Sequence, residues 1–185
     1  MGFLVIDGNS ILNRAYYGIR VLTNSKGVAT NAVTGFMNTL LMLEKDVSPD
    51  MIAVAFDLKA PTFRHKMYDG YKANRKGMPD DLAQQLPYMK KIIAAMGIAI
   101  IEKEGYEADD IIGTLAADHS VMTYIVTGDR DSFQLIDDTT RVVYTKRGIS
   151  DTGVFDEQTL TDEYGLTPKQ IVEFKAIAGD PSDNI

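Results

Sequence analysis

The chain has 185 residues, 45% of them hydrophobic, and a formal net charge of −7, which is typical of one globular domain or of one domain and part of a second. It contains no cysteine and only two histidines, so disulfides, thiolate zinc sites and cysteine nucleophiles are excluded, and a reducing cytoplasm is favoured. Residues 1–7 have no basic region before their apolar run, and no apolar stretch approaches the roughly 20 residues that span a bilayer. We therefore expect neither a signal peptide nor a membrane association.

Strand-like and helix-like patterns alternate along the chain. Buried strands are predicted at residues 3–6, 51–56, 98–101, 123–127 and 141–144. Helices are predicted at about residues 31–46, 80–96 and 107–119, in a short segment ending at Leu135, and at 157–164 and 168–178, whereas residues 16–29 are expected to be irregular. Strands separated by helices predict a mainly parallel sheet with helices on both faces.

Acidic residues follow several of the predicted strands. Asp7 and Asp57 each end a strand, a further acidic group at 129–131 follows another, and a third group at 107–110 opens a helix. Ligands of parallel sheets bind at the carboxyl ends of the strands, so these acids are expected to share one cleft. Two carboxylates about 4 Å apart at a protein surface repel by about 4 kcal/mol, so such a cleft requires cations. For the group at 107–110 alone, simple complementarity to the helix macrodipole is an equal alternative.

The expected cations follow from the ligand type. Oxygen ligands without cysteine favour Mg²⁺ or Mn²⁺ over Zn²⁺. These ions are the usual partners of phosphoryl transfer, so the acidic residues indicate phosphate chemistry.

A basic segment at residues 59–76 stands out in this acidic chain. It contains six lysines or arginines, one histidine and a single acid, with Phe63, Tyr68 and Tyr71 between them. Such a segment is commonly a solvated surface, but its position directly after Asp57 favours contact with nucleic acid. Because it has little apolar periodicity, we expect it to be mobile or partly disordered until nucleic acid binds.

Seven short motifs, at residues 5–10, 55–57, 61–65, 71–75, 104–110, 127–131 and 179–185, resemble those of the flap endonuclease family, in particular the 5′ nuclease domains of bacterial DNA polymerase I. The resemblance covers essentially the whole chain. It implies a three-layer, PIN-like (Rossmann-like) α/β fold with a central mainly parallel sheet. It also implies a catalytic core at residues 1–155 with a basic arch at about 59–78. Residues 156–185 would begin a C-terminal helix-hairpin-helix subdomain that is truncated here.

The same resemblance implies roles for individual residues. The acids that match the family's ligands for two or more divalent ions are Asp7, Asp57, Glu107, Asp109, Asp110, Asp129, Asp131, Asp180 and Asp183. Lys72 and Arg75 would act in catalysis, together with Asp7, Asp57 and Asp129, by contacting the reacting phosphate. The residues that would bind DNA are Arg14, Phe63, Arg64, Tyr71, Lys72 and Arg75. Tyr71 would stack on a base, and K⁺ would bind in the hairpin that follows in the family.

The implied activity is divalent-metal-dependent 5′-3′ exonuclease or flap endonuclease cleavage of DNA with 5′ flaps, nicks or 5′ ends, with RNA primers as a further candidate substrate. The chain would then be the N-terminal domain of a bacterial, cytoplasmic DNA polymerase I that acts in replication and repair. A free-standing nuclease and a DNA-binding module with little activity are the alternatives. A small-molecule phosphohydrolase is less favoured, because the residue two after Asp7 is Asn9 rather than a second aspartate. A dinucleotide site is disfavoured because residues 7–10 are not a glycine-rich phosphate loop.

Overall fold

The computed structural model describes residues 1–147 and 151–185. A six-stranded sheet forms its centre, with strands β1 (Gly2–Asp7), β2 (Met51–Ala55), β3 (Ala99–Ile101), β4 (Met122–Thr127), β5 (Thr140–Arg147) and β6 (Asp151–Phe155). The strand order is β3-β2-β1-β4-β5-β6, and every pair is parallel except β5 with β6. The predicted mainly parallel sheet is therefore confirmed, and β1 lies at its centre.

Helices cover both faces of this sheet. They are α1 (Gly8–Gly18), α2 (Asn31–Val47), α3 (Phe63–Met67), α4 (Asp80–Ala95), α5 (Ala108–Ala116), α6 (Glu157–Tyr164) and α7 (Pro168–Ala178), with a 3₁₀ helix at Arg130–Leu135. No described helix combines the length and the apolar character that crossing a membrane requires.

The two faces of the sheet carry separate hydrophobic cores. Side chains alternate along β1, so Leu4 and Ile6 pack under α1, α2 and α4, while Val5 packs under α5 and the 3₁₀ helix. Phe36 and Phe133 are among the largest buried side chains of the first and second core, respectively. The central strands are therefore packed on both faces, which determines where the loops at their carboxyl ends begin.

Helices α1 and α3 and strand β6 were not among the elements predicted from the sequence. Helix α1 runs from Gly8 to Gly18 and so includes Tyr16 and Tyr17, which were expected to be irregular; buried Ile11, Leu12 and Ala15 bind its inner face to the first core. Strand β6 was not predicted. It is five residues long with Gly153 at its centre, and it pairs antiparallel with β5 at the edge of the sheet.

The C-terminal helices begin on the core. Leu160 of α6 is fully buried among the residues of the second core, and Ile171 of α7 packs against that core. Residues beyond α7 fold back so that the amide of Asp180 donates to the carbonyl of Ile185 at 2.9 Å. The division of the chain into domains after residue 155 stays a prediction.

The arch segment, residues 59–78, is attached to the core at more points than its sequence suggests. It contains α3, whose first residue donates its amide to the carbonyl of Gly105 at 2.9 Å. Tyr71 is only 5% exposed, and the amide of Lys72, which has a left-handed backbone (φ 56°), donates to the carbonyl of Asp183 at 2.9 Å. The segment is therefore attached to the rest of the chain by one buried aromatic side chain and by backbone hydrogen bonds, although it has little apolar periodicity. Its mobility stays a prediction.

Candidate active site

Eight carboxylates line one cavity of about 490 Å³ at the carboxyl edge of the sheet. They are Asp7, Asp57, Glu107, Asp109, Asp129, Asp131, Asp180 and Asp183. Of the nine acids that were predicted to bind metal, only Asp110 does not line it. The acids come from five separate parts of the chain. Asp7, Asp57 and Asp129 meet here because β1, β2 and β4 are adjacent and parallel and therefore end at the same edge.

Asp7 is the most deeply placed of these acids. Its Oδ1 caps α1 by accepting from the amide of Ser10 at 2.9 Å, and its Oδ2 accepts from the hydroxyl of Thr127 at 2.9 Å. Burial raises the pKa of Asp7 to about 6, assisted by the negative charges of Asp57 and Asp129, although the two hydrogen bonds act in the opposite direction. This carboxyl is therefore poised to gain from a bound cation.

Asp57 and Asn9 connect the end of β2 to the helices on either side of it. Oδ1 of Asp57 accepts from the amide of Ala108 at 2.7 Å, at the first residue of α5. The amide of Asp57 donates to Oδ1 of Asn9 at 3.0 Å. At Gly8 a Cβ atom would overlap the ring of Phe56, so glycine permits the close approach of α1 to β2. These contacts fix three elements around the cavity.

Asp129 and Asp131 follow β4 in a compact turn. The amide of Asp129 donates to the hydroxyl of Thr127 at 3.0 Å, and its Oδ1 accepts from the amide of Asp131 at 3.0 Å as the cap of the 3₁₀ helix. Burial raises the pKa of Asp131, and the ammonium of Lys175 at 2.9 Å opposes that rise. The turn therefore presents two carboxylates to the cavity from one short segment.

Glu107 and Asp109 enter from the start of α5. Glu107 is buried and serves as the helix cap, and its oxygens accept from the hydroxyl of Tyr71 and the ammonium of Lys72, each at 2.9 Å. Asp109 is open to the cavity, yet the surrounding protein removes part of its solvent. This desolvation, with the charges of Asp7, Asp129 and Asp57, raises the pKa of Asp109 to about 8.

The side chain of Asp110 does not line the cavity and instead contacts the arch segment. Both of its oxygens pair with the guanidinium of Arg64, at 2.7 and 2.8 Å. Hydrogen bonds from Arg64 hold the pKa of Asp110 below its usual range, and the same contact raises the pKa of Arg64. The structure thus places this predicted ligand in an ion pair with a predicted DNA-binding residue.

Asp180 and Asp183 lie in the C-terminal turn, facing basic side chains. Lys175 donates to Asp180 at 2.7 Å, and Arg75 forms an ion pair with Asp183. Although burial acts to raise it, hydrogen bonds from Lys175 and Ser182 lower the pKa of Asp180 to about 2. Burial acts to lower the pKa of Lys175, but its contacts with Asp180 and Asp131 raise it above the usual range.

The remaining predicted DNA-binding residues are placed unequally. Lys72 and Arg75 line the acidic cavity, and Phe63 is 39% exposed with the Arg64 guanidinium over its ring. Arg14 donates to the carbonyls of Gly128 and Lys146 at 2.9 and 3.3 Å. Two of the five N–H donors of its guanidinium therefore hold the ends of β4 and β5 together, and the others remain for a phosphate. The DNA-binding assignments stay predictions.

The donor set fits hard divalent cations. All the cavity acids offer oxygen ligands. Burial, with the charges of neighbouring carboxylates, raises the pKa values of Asp7 and Asp109, so a cation would favour their charged forms. Among the described residues, no group of three acids or histidines is already arranged to hold an ion. The number of ions and their ligands stay predictions.

Two supporting residues were missed at the sequence level. Thr127 ends β4 next to Asp7, and the parallel register that pairs Ile6 with Val126 would have placed it there. Lys175 bridges Asp131 and Asp180 from the last turn of α7. The sequence signal for Lys175 was its position five residues before Asp180, an expected metal ligand.

Comparison with known proteins supports the architecture and the family. The chain is 42% identical over 187 residues to DNA polymerase I of Mycobacterium tuberculosis and 41% identical over 185 residues to that of Bacillus subtilis. Each alignment covers 98% of this chain but 21% of the relative, so the chain spans about a fifth of the length of these curated relatives.

A solved structure shares the fold. The bacteriophage T5 flap endonuclease, in a pseudo-enzyme-product complex with DNA and metal ions, superposes with a TM-score of 0.75 at 20% identity, over 100% of this chain and 69% of that one. The PIN-like fold inferred from the motifs is thereby confirmed. Residues 2–165 match the family described as 5′-3′ exonuclease, N-terminal resolvase-like domain. The chain belongs to this 5′-3′ exonuclease family.

Proposed function

We propose that this chain is a divalent-metal-dependent 5′-3′ exonuclease and flap endonuclease that hydrolyses phosphodiester bonds of DNA. One observation carries the proposal: a single cavity brings together eight carboxylates and the basic side chains of Lys72 and Arg75. Carboxylates alone would repel a phosphate, and lysine and arginine alone could not hold a metal. Their combination suits an anionic substrate that reacts at a metal site.

Mg²⁺ or Mn²⁺ would be held by the cavity acids, among them Asp7, Asp57, Asp129, Asp180 and Asp183. Such ions supply a hydroxide nucleophile at neutral pH and stabilise the leaving oxygen. Lys72 and Arg75 bind and orient the scissile phosphate; in this structure they pair with Glu107 and Asp183 and would exchange those partners for it. Arginine suits this task because its fork matches two phosphate oxygens.

In this structure Tyr71 anchors the arch segment and is not free to stack on a base. Its ring is buried and its hydroxyl is bonded to Glu107, so it holds the arch segment against α5. Stacking of this ring on a base requires the arch to open. Phe63, which is exposed, is available to a base without any such movement.

The substrates we propose are DNA with 5′ flaps, nicks or 5′ ends, with 5′ RNA primers as a further candidate. Curated relatives are bacterial DNA polymerases I, so the chain would act beside a covalently linked polymerase in replication and repair, in the bacterial cytoplasm. A free-standing nuclease is the alternative. In the family the segment after the equivalent of Ile185 would supply a hairpin for duplex DNA and K⁺.

Cleavage of a 5′-labelled flap with and without Mg²⁺, beside hydrolysis of a phosphate monoester, tests the proposal. We expect Mg²⁺-dependent cleavage near the flap junction and no monoesterase activity. Flap binding without cleavage would favour the DNA-binding module. Monoester hydrolysis alone would favour a small-molecule phosphohydrolase. The variant Asp57→Asn controls for contaminating nuclease, because its cleavage should be lost.

A further inference from the structure

Arg64 and Asp110 form a paired contact outside the acidic cavity. Nη1 and Nη2 of Arg64 donate to Oδ2 and Oδ1 of Asp110 at 2.8 and 2.7 Å, the two-bond geometry that makes arginine–carboxylate pairs strong and directional. Oδ2 of Asp110 also accepts from the backbone amide of Glu107 at 2.9 Å. Both carboxylate oxygens of Asp110 are therefore engaged within the chain.

Helix geometry separates Asp110 from its neighbour. Consecutive residues on an α-helix point about 100° apart, so Asp109 and Asp110 cannot face the same side of α5. Asp109 faces the acidic cavity, whereas Asp110 faces α3 of the arch segment. Three of the roughly four lone-pair sites of the Asp110 carboxylate are occupied within the chain, which leaves little capacity to coordinate a metal ion.

We propose that Asp110 is a positioning residue and not a metal ligand, an inference that rests on the proposed function. With Arg64 it anchors the base of the arch segment to α5. By accepting from the backbone amide of Glu107 it also positions Glu107, whose carboxylate contacts Tyr71 and Lys72 of the arch segment. The acidic motif at 107–110 thus divides into two cavity carboxylates and one arch anchor.

The anchor acts on the reaction through Lys72. Arg64 lies on α3, and the chain continues from α3 to Tyr71 and Lys72, which both bond to Glu107. When Lys72 exchanges Glu107 for a phosphate, the Arg64–Asp110 pair still holds the start of the segment, because neither residue lines the cavity. The arch can therefore release its tip while its base stays attached.

Matched variants test this assignment by metal binding. Asp110→Asn keeps an acceptor for the Glu107 amide but loses the ion pair, while Arg64→Lys keeps the charge but loses the fork. In calorimetric titration with Mn²⁺ alone, we expect the Mn²⁺ affinities of the two variants and of their double variant to agree within about twofold. All three proteins lack the same interaction, the Arg64–Asp110 pair. Asp109→Asn, the neighbouring substitution on the same helix, should weaken Mn²⁺ binding at least about tenfold, because it removes a cavity carboxylate.

Amide hydrogen exchange provides a second measurement, which would not change if the Arg64–Asp110 pair had only an electrostatic role. We expect amides of residues 63–68 to exchange at least about fivefold faster in Asp110→Asn and Arg64→Lys, with no further increase in the double variant. Asp109→Asn should leave them unchanged. In flap cleavage with saturating Mg²⁺, both anchor variants should raise KM more than they lower kcat.

The proposal is overturned if Asp110→Asn weakens Mn²⁺ binding as much as Asp109→Asn while Arg64→Lys binds like the wild type. It is also overturned if neither anchor variant alters exchange in residues 63–68. Should Asp110→Asn fail to fold, the exchange rates of Arg64→Lys against Asp109→Asn decide the question. Failure of the proposed function would look different: the wild type would bind no Mn²⁺, while the exchange comparison would still report on the pair.

Discussion

The hydroxyl of Tyr71 donates a hydrogen bond of 2.9 Å to Oε2 of Glu107, and both side chains are buried. Burial and the contact with this carboxylate raise the pKa of Tyr71 above its usual range, so the hydroxyl keeps its proton. The bond joins the arch segment to the N-terminus of α5. Order in the arch and the orientation of a cavity carboxylate are therefore linked through two side chains.

Replacing this hydroxyl should destabilise the fold. In Tyr71→Phe, Glu107 loses a donor while remaining buried, so we expect the free energy of unfolding to fall by about 1–3 kcal/mol. Urea denaturation with EDTA measures the change. Tyr106→Phe is the control, since Tyr106 is 48% exposed, and should change the stability by less than about 0.5 kcal/mol. Equal effects in the two variants would contradict the structural role of the Tyr71 bond.

Asp129→Asn should separate activity from stability. Asparagine retains an oxygen that can accept from the amide of Asp131, so the cap of the 3₁₀ helix survives, while a cavity carboxylate and its repulsion are lost. We expect flap cleavage to fall by at least about a hundredfold, as for loss of a group that acts mainly in the transition state. The free energy of unfolding without metal should hold or rise. A variant that unfolds readily yet cleaves normally would refute the assignment of Asp129.

Stability without metal should depend on the protonation of Asp7. Its pKa is about 6 in the folded protein, against 3.8 for an aspartate in an unfolded chain, so the folded form binds more protons in between, and stability falls as the pH rises from about 4 to about 6. The difference corresponds to a loss on the order of 3 kcal/mol. Urea denaturation of wild type and Asp7→Asn in EDTA, at steps from pH 4 to pH 7, isolates this contribution. If the difference between the two proteins stays constant across that range, Asp7 is not the titrating group.

Divalent ions should stabilise the folded chain. Mg²⁺ or Mn²⁺ relieves the repulsion among the cavity carboxylates and binds the folded state preferentially, so Tm should rise with ion concentration. Thermal denaturation and titration calorimetry measure this effect, with Asp57→Asn as the variant in which it should shrink. Mg²⁺ sites that retain several waters are weak, so the titration should extend to roughly tens of millimolar. If no binding is observed in that range, the cavity acids are only a solvated edge of the sheet and not a metal site.

Lys72 and Arg75 should govern the salt dependence of DNA binding. Removing either one by substitution with alanine should flatten the slope of log affinity against log salt by about 0.7–0.9, the contribution of one phosphate contact. Flap affinity at several KCl concentrations, in an Asp129→Asn background that should not cleave, gives this slope. Lys45→Ala, on the last turn of α2, is the control and should leave it unchanged. Loss of affinity with an unchanged slope would show that the two residues do not contact phosphates.

Much of the site could be predicted because it follows from strand ends. Asp7, Asp57 and Asp129 end or follow adjacent parallel strands, and any such sheet brings these positions together. The role of Asp110 could not be predicted in this way. Its motif places it beside Asp109 in sequence, but only the position of Arg64 on α3 shows that it serves another contact.

Other features escaped prediction because their signals are weak or non-local. Strand β6 is short and carries a glycine, so its alternation is interrupted. The burial of Tyr71 depends on Glu107, which lies 36 residues further along the chain. Helix α1 was not predicted, because exposed Tyr17 and half-buried Tyr16 mask the apolar spacing of its first two turns.

The cavity holds much of the net charge of this acidic protein. Its eight acids face four basic side chains, Lys72, Arg75, Lys76 and Lys175, which leaves four formal negative charges there out of seven in the whole chain. Two divalent ions would cancel that excess and leave the outer surface with a charge of only about −3. The ions would thus set the long-range field that approaching DNA experiences, as well as the chemistry at the scissile bond. The rate of DNA association should rise with metal occupancy even for variants that cannot cleave.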